Sequence, residues 1–210
     1  MIYYDYYANV PAQTLDAFIR ECEMGRLVTV GAEGRPHIGL YPFVYAAGVI
    51  EMHLHRADEQ FADLRSQARC VFEVDEVLGT VPSYWIDPKD AVKATAYHRT
   101  VVFECEAVLS QDPAELAAQQ TRLLARYQPE GGFSPVMPED DLYRMALRHI
   151  VAVRLEIKAR QVKFKLAQNR PLEARRKIVG ALRERGRPMD ARAAEAVQWT
   201  IDQETDKPSD

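Results

Sequence analysis

Short segments in which apolar and polar residues alternate dominate the first half of the chain. Such alternation is typical of half-buried strands. The segments with this pattern are Arg26 to Val30, Pro36 to Val44, Val49 to His55 and Arg69 to Asp75. The turn residues Glu33-Gly34 and Ala47-Gly48 separate the first three of them. The pattern therefore predicts an antiparallel meander with tight hairpins.

Two later segments continue the strand pattern. Tyr97 to Leu109 alternates apolar residues with Glu104 and Glu106, which predicts a strand with one solvated face. From Ile150 to Leu166 the apolar residues lie first on one face and then on the other, as in a strand with a β-bulge or one that crosses between sheets. Six strands joined mostly by hairpins predict a mainly β fold, a six-stranded antiparallel β-barrel with peripheral α-helices.

Helical patterns occur around these strands. Leu15, Phe18, Ile19 and Cys22 recur at helical spacing, and Gly25 is expected to stop that helix. The other predicted helices run from Asp58 to about Gln67, from Asp112 to about Tyr127, from Leu172 to Arg185 and from Asp190 to Ile201. We expect residues 1–168 to form the barrel domain with its N-terminal helix, and residues 169–210 to form a C-terminal helical extension.

Composition restricts the class of protein. The chain has 210 residues, 47% of them apolar and 28% charged, as in ordinary globular proteins. Its apolar stretches are too short to cross a bilayer, and the Tyr-rich segment Met1 to Asn9 lacks the features of a secretory signal. We therefore expect a cytoplasmic protein. Arg144 to Arg192 carries a large excess of Lys and Arg, which fits solvated helix faces, an anion site or a nucleic-acid surface.

Candidate chemistry is concentrated after the strand Val49 to His55. Glu51, His53 and His55 alternate along it and project from one face, as metal ligands or as structural side chains. The segment His53 to Asp58 leads from this strand into a helix start. A helix N-terminus offers free N–H groups, and Arg56 adds a bidentate donor for phosphate. The segment therefore predicts a phosphate cradle rather than a metal site.

Several motifs resemble one known family. HLHRADEQF, His53 to Phe61, is similar to the H-L-x-R-A-N-P segment of PaiB-type FMN-binding proteins, with Asp58 and Glu59 in place of Asn and Pro. FKLAQNRP, Phe164 to Pro171, is similar to their F-K-L-S-Q-N-R motif. The other matches are Thr80 to Trp85, which resembles a V-P-S-W loop, and Tyr97 to Val102, which resembles a Y-x-S-V strand with Thr100 in place of Ser. The chain thus resembles the FMN-binding split-barrel family, which includes pyridoxamine-phosphate oxidase.

The resemblance implies an FMN site at the interface of a two-fold homodimer. Its phosphate is then expected on Arg56, Arg99, Thr100 and Gln60, beside His53 and His55 of the cradle segment. The backbone of Tyr41, Pro42 and Phe43 is expected to line the isoalloxazine ring, with Lys165 or Gln168 reaching in from the last strand. Cations and hydroxyls neutralise a phosphate, and backbone amides tune the electron density of the ring.

The function implied is that of an FMN-dependent oxidoreductase acting on an unknown small molecule, with NADH or NADPH as reductant. No acid-base or nucleophilic group is evident, so the sequence leaves the catalytic residues and the substrate open. One alternative is a PaiB-like transcriptional regulator that binds nucleic acid through the basic region. Another is a haem-handling split-barrel protein that uses its histidines, although the chain lacks a C-x-x-C-H motif.

Overall fold

The computed structural model describes residues 4–46 and 48–205, and the chain divides into two compact units. The sheet unit comprises Leu15–Val74 and Val102–Gln161, and the terminal unit comprises Met1–Thr14, Asp75–Val101 and Val162–Asp210. The strands are β1 (Met24–Val30), β2 (Pro36–Pro42), β3 (Val44–Ala46), β4 (Val49–His55), β5 (Arg69–Val81), β6 (Thr95–Ser110) and β7 (Ile150–Lys165). The helices are α1 (Asp5–Ala8), α2 (Ala12–Glu21), α3 (Glu59–Ser66), α4 (Pro113–Tyr127), α5 (Asp141–His149), α6 (Leu172–Arg185) and α7 (Asp190–Thr205).

The sheet is seven-stranded, with the order β2-β1-β5-β6-β7-β4-β3. Antiparallel pairing joins β1 to β2 from Met24↔Pro42 to Val30↔Pro36, and β4 to β7 from Val49↔Glu156 to His55↔Ile150. β2 and β3 are the two edges, so the sheet is open. The mainly β antiparallel prediction is confirmed, whereas the predicted number of six strands is wrong by one.

The additional strand arises because Pro36 to Val44 is not one strand. The ladder of β2 ends at Pro42, which has no N–H to donate. The next residue, Phe43, turns its backbone to Tyr127: its N–H donates to the Tyr127 hydroxyl at 2.9 Å, and that hydroxyl lies 2.8 Å from the Phe43 carbonyl oxygen. Val44 then starts β3, which pairs with β4 instead of β1.

Alternate residues of the strands form the core of the sheet unit. Leu27, Ile50, Phe72 and Phe103 are fully buried. Gly25 was expected to stop the first helix, but α2 ends at Glu21 and Gly25 lies inside β1. A Cβ atom at Gly25 would lie 2.2 Å from the Phe72 ring. The position thus requires glycine because of the packing of the core.

Local capping signals predicted most helices correctly. Asp58 caps α3 and Asp112 caps α4, and α6 has the predicted bounds and is followed by Gly186 with φ of 64°. The sequence analysis missed α5, whose N-cap is Asp140. Leu147 of this helix joins a buried cluster, whose other buried members are Leu116, Ala117, Val136 and Ala152.

In the terminal unit, α6 and α7 pack against each other through buried apolar side chains, among them Ile178, Leu182 and Val197. Arg175, although only 5% exposed, donates to the carbonyl oxygens of Arg170 at 2.8 Å and Thr200 at 3.1 Å. Its charge is thus compensated inside the unit. In the described part of the chain, no helix is both long enough and apolar enough to span a bilayer.

Candidate functional site

The start of α3 is joined to β2 by a network around Tyr41. The Tyr41 hydroxyl lies 2.9 Å from Asp58 Oδ2 and 2.7 Å from Gln60 Oε1, while Asp58 Oδ1 accepts the Gln60 backbone N–H at 2.9 Å. Burial, and then the Asp58 carboxylate, raises the pKa of Tyr41 far above its usual value. Tyr41 is therefore a neutral donor that fixes β2 to the helix start.

This network changes the predicted phosphate cradle. The carboxylate of Asp58 occupies the N-terminus of α3, and its negative charge opposes a phosphate there. Gln60 is 2% exposed, and its amide nitrogen lies within hydrogen-bonding distance of Leu27 O, Thr29 Oγ1 and His37 O. Gln60 is thus engaged inside the sheet unit, and we assign it a structural role instead of the expected phosphate contact.

Arg56 remains a candidate for binding phosphate. Its side-chain Nε donates to the Ile150 carbonyl oxygen at 3.1 Å, and its backbone N–H donates to the His149 carbonyl oxygen at 2.8 Å. Among the described residues, the two terminal nitrogens of Arg56 have no hydrogen-bond or ion-pair partner. The side chain lines a cavity of about 400 Å³ together with Arg144 and Arg148, against one acidic side chain, Glu139. Arg144 is paired with Asp141, so the guanidinium groups of Arg56 and Arg148 are the ones that favour an anion in this cavity.

The expected contacts to the flavin ring differ among Tyr41, Pro42 and Phe43. The N–H and carbonyl groups of Phe43 are engaged by Tyr127, and its side chain is fully buried. Phe43 thus has a structural role, and its contact with the flavin ring stays a prediction. Tyr41 and Pro42 are half-buried at the end of β2, an edge strand that leaves one row of its backbone groups without a strand partner in the described sheet.

The two histidines of β4 have different surroundings. His53 is half-buried, burial lowers its pKa, and its Nδ1 has no hydrogen-bond partner within the described chain. His55 is exposed, accepts the Ala57 N–H at 3.0 Å and stacks on His149 with ring centroids 5.8 Å apart. Glu51, on the same face, forms a two-point ion pair with Arg122 at 2.6 and 2.8 Å. Because of this ion pair, Glu51 is not available as a metal ligand together with His53 and His55.

In the terminal unit, Arg99 and Thr100 are consecutive residues of β6, so their side chains point to opposite faces. Arg99 donates to Glu76 at 2.6 Å and lies over the Phe164 ring, and Glu76 also pairs with Arg192. Arg99 is thus committed to a largely buried ion-pair network, and a shared phosphate contact with Thr100 is not supported by this geometry.

Thr100 instead shares a face with His98, whose Nδ1 lies 2.9 Å from Thr100 Oγ1. Lys163 and Lys165 lie on either side of the buried Phe164 in β7 and point away from it. Burial, followed by repulsion from Lys163 and Lys165, lowers the pKa of His98. The structure therefore places Lys165 beside Lys163 and the imidazole of His98, whose lowered pKa favours its neutral form.

Gln168 has a role within its own segment. Its Oε1 accepts the Leu166 N–H at 2.8 Å, and its Nε2 donates to Phe164 O at 2.6 Å. Ala167 between them has φ of 71°, a left-handed conformation that is uncommon for a residue with a Cβ. Gln168 thus stabilises this strained turn. It also lines a cavity of about 220 Å³ in the terminal unit, and its contact with the flavin stays a prediction.

Several members of the basic excess between Arg144 and Arg192 are paired with carboxylates, which reduces the positive charge that is available to a ligand. Arg185 binds Asp190, and Lys158 pairs with Glu106 and Glu156. Arg144 and Arg148 are the functional candidates that the sequence analysis missed. The signal for them was the Asp140 N-cap, which would have placed both on one short helix.

Comparison with known proteins identifies the family. Residues 1–159 match the family described as "Putative FMN-binding domain". No curated protein matches the chain.

Solved structures of low sequence identity share the fold. The flavocytochrome Anf3 of Azotobacter vinelandii is 18% identical with a TM-score of 0.64, over 78% of this chain and 72% of that one. The FAD and heme binding protein of Mycobacterium smegmatis is 14% identical with a TM-score of 0.59, over 74% and 71%. A conserved hypothetical protein of Mycobacterium tuberculosis is 18% identical with a TM-score of 0.56, over 79% and 91%.

The residues of the sheet unit fit this cofactor. Arg56 offers two guanidinium nitrogens to a phosphate, and the open edge of β2 offers backbone groups to a flat polar ring. Together with the family match over residues 1–159, these features show that the chain belongs to the FMN-binding split-barrel family and is an FMN-binding flavoprotein.

Proposed function

We propose that the protein is an FMN-dependent oxidoreductase that acts on a small molecule and accepts electrons from NADH or NADPH. The observation that carries this proposal is Arg56, which a backbone contact holds by its Nε while its terminal nitrogens face a cationic cavity. A guanidinium group that is held in place in this way, in a protein of an FMN-binding family, is suited to bind the phosphate of the cofactor. Bound FMN supplies the electron or hydride transfer, and the protein supplies binding and orientation.

Each remaining candidate has a role in this proposal. Arg56 binds the FMN phosphate, and Arg148 from the same cavity assists it electrostatically. The backbone of Tyr41 and Pro42 contacts the ring, because the hydroxyl network at α3 holds this end of β2 in place. These residues bind and orient the cofactor, and no proton transfer is assigned to them.

The visible absorption spectrum of the purified protein tests the cofactor and the alternatives together. We expect flavin bands that disappear when NADH or NADPH is added without oxygen. A Soret band in place of flavin bands would favour the haem-handling alternative. Bound flavin that neither nucleotide reduces, in a protein that retains a specific DNA fragment, would favour the regulator.

We further propose that the protein is a homodimer with FMN at the interface. One face of the sheet unit exposes apolar side chains that a monomer leaves in water, with Ile38 67%, Leu40 56% and Val108 46% exposed. The cross-strand partners Val28 and Val71 lie on this face beside a groove of about 670 Å³. The groove also carries both signs of charge, from Arg69, Glu104, Glu106 and Lys158. An apolar centre with mixed charges suits a self-complementary contact with a second copy.

Light scattering tests the dimer. We expect a mass of twice 23.9 kDa for the FMN-loaded protein and a monomer for Ile38→Asp, because a buried unpaired carboxylate is costly. Val92→Asp is the control, since Val92 is 85% exposed in the terminal unit, and it should remain dimeric. A monomeric wild type with FMN still bound would contradict this part of the proposal. We also propose a cytoplasmic location, which is supported by the free thiols of Cys70 and Cys105 because disulfides are rare in that compartment.

A further inference from the structure

Four side chains of the terminal unit converge on one face of β6 and β7. His98 and Thr100 lie two residues apart on β6 and are joined by a 2.9 Å hydrogen bond. Lys163 and Lys165 lie two residues apart on β7. Arg99 and Phe164, the residues between these pairs, contact each other through the guanidinium and the ring, with 5.8 Å to the ring centroid. Because alternate residues of a strand share a face, the other four lie together on the opposite side.

Two ammonium groups, those of Lys163 and Lys165, lie on this face in a partly desolvated place beside His98, whose lowered pKa favours the neutral imidazole. His98, Lys163 and Lys165 are each half-buried. Burial lowers the pKa of Lys165, and Lys163 and Arg170 lower it further. Neighbouring cations repel each other, and this repulsion raises the free energy of the folded protein unless an anion binds between them.

The acidic residues on this face do not satisfy Lys165. Among the described residues, Asp75 is the carboxyl group whose negative charge acts to raise the pKa of His98. Within the described residues, Lys165 Nζ has neither an ion pair nor a hydrogen bond, whereas Lys163 lies 5.9 Å from the Tyr7 ring centroid. Thr100 is 6% exposed and adds a hydroxyl at the base of the cluster. The donors are therefore arranged for an oxyanion that comes from outside the chain.

We propose that the cluster of His98, Thr100, Lys163 and Lys165 binds the anionic group, a phosphate or carboxylate, of the small-molecule substrate. The assignment of the ligand as substrate rests on the proposed oxidoreductase function, whereas the binding of an oxyanion does not. The cofactor phosphate already has Arg56 in the sheet unit, so the cluster remains for a second anion. Lys165 is the principal contact, since it combines partial burial with the lack of a described partner. The cluster positions the substrate and takes no part in electron transfer.

Calorimetric titration of inorganic phosphate into the FMN-loaded protein at low ionic strength tests this site. We expect measurable binding by wild type and a loss of roughly tenfold or more in Lys165→Met, because a charge-assisted hydrogen bond to the anion is removed. Lys177→Met is the matched control: Lys177 is exposed on α6, and its loss should leave phosphate binding unchanged. FMN content should be the same in all three proteins.

A second measurement needs no substitution. In NMR spectra of the FMN-loaded wild type, phosphate should shift the imidazole signals of His98 and leave those of His37, which is hydrogen-bonded to Asp63, in place. Equal phosphate affinity in wild type and Lys165→Met, or unchanged His98 signals, would overturn the proposal.

The cofactor itself provides the remaining control. If the Lys165→Met variant no longer binds FMN but still binds riboflavin, the cluster binds the cofactor phosphate. That result would also overturn the proposal. A wild type that carries no flavin would contradict the proposed function, yet the phosphate titration of the same protein would still decide whether the cluster binds an oxyanion.

Discussion

The hydroxyl of Tyr127 lies between the backbone N–H and the carbonyl oxygen of Phe43, at 2.9 and 2.8 Å. This contact, between residues 84 positions apart in the chain, satisfies the backbone at the point where β2 ends and β3 begins. Phe43 is fully buried there, so water does not replace the hydroxyl. A side chain of α4 thus makes it possible for the chain to pair with β1 through β2 and then with β4 through β3.

Removing this hydroxyl should destabilise the fold. We expect Tyr127→Phe to lower the free energy of unfolding by about 1–3 kcal/mol, the cost of leaving buried polar groups without partners. Tyr84→Phe is the control, because Tyr84 is 63% exposed, and its effect should stay within about 0.5 kcal/mol. Urea unfolding of the three proteins measures the difference. Equal stability of wild type and Tyr127→Phe would show that the contact is not needed.

Arg56 provides a prediction about the cofactor phosphate. We expect Arg56→Ala to weaken FMN binding by about 1.5–3 kcal/mol and to leave riboflavin binding nearly unchanged, because riboflavin has no phosphate. Arg183→Ala, which removes an exposed arginine of α6, should change neither affinity. Fluorescence titration of the apoprotein with each flavin measures both. An equal loss for the two ligands would make Arg56 a structural residue.

Buried Asp63 links stability to pH. Burial acts to raise its pKa, but hydrogen bonds from Thr29 and His37, each 2.7 Å long, outweigh burial and lower the pKa below its usual value. A carboxyl group of this kind stabilises the folded protein above its unfolded-state pKa. The contribution disappears as the pH falls through the lower folded-state pKa.

We therefore expect Asp63→Asn to cost about 1–3 kcal/mol at neutral pH, with a difference from wild type that shrinks below a pH of about 4. Urea unfolding over a series of pH values provides the measurement. Glu184→Gln removes one exposed carboxylate of α6 and controls for net charge. A difference that stays constant or grows towards acid pH would contradict the assigned direction.

Local signals made much of the fold predictable from sequence. The Asp58 cap, the strand Val49–His55 and the helix Leu172–Arg185 each depend on residues that are close in the chain. Long-range partners made the rest unpredictable. The break at Phe43 depends on Tyr127, and the roles expected for Arg99 and Gln60 changed because Glu76 and Tyr41 engage them first. Sequence motifs indicate segments that a ligand could contact, whereas the side chains available in them depend on these long-range partners.

Gly39 lies in β2 against the Tyr41 network, and Gly180 lies inside α6. A Cβ atom at Gly39 would lie 2.2 Å from Gln60 Oε1 and 2.3 Å from the Tyr41 hydroxyl, whereas nothing lies within 4 Å of one at Gly180. The same substitution should therefore have opposite effects at the two sites. Gly39→Ala displaces side chains that are held by hydrogen bonds, and we expect it to destabilise the protein by about 1–3 kcal/mol.

Gly180→Ala adds a residue of higher helix propensity in open space, so it should stabilise the protein by about 0.5–1 kcal/mol. Because Gly39→Ala also moves Tyr41, it should weaken FMN binding, while Gly180→Ala should leave FMN affinity unchanged. Thermal unfolding and flavin titration of both variants separate these effects. If Gly39→Ala were as stable as wild type and bound FMN equally well, the contact of Tyr41 with Gln60 would not hold the end of β2, and the proposed backbone contact of Tyr41 with the flavin would lose its support.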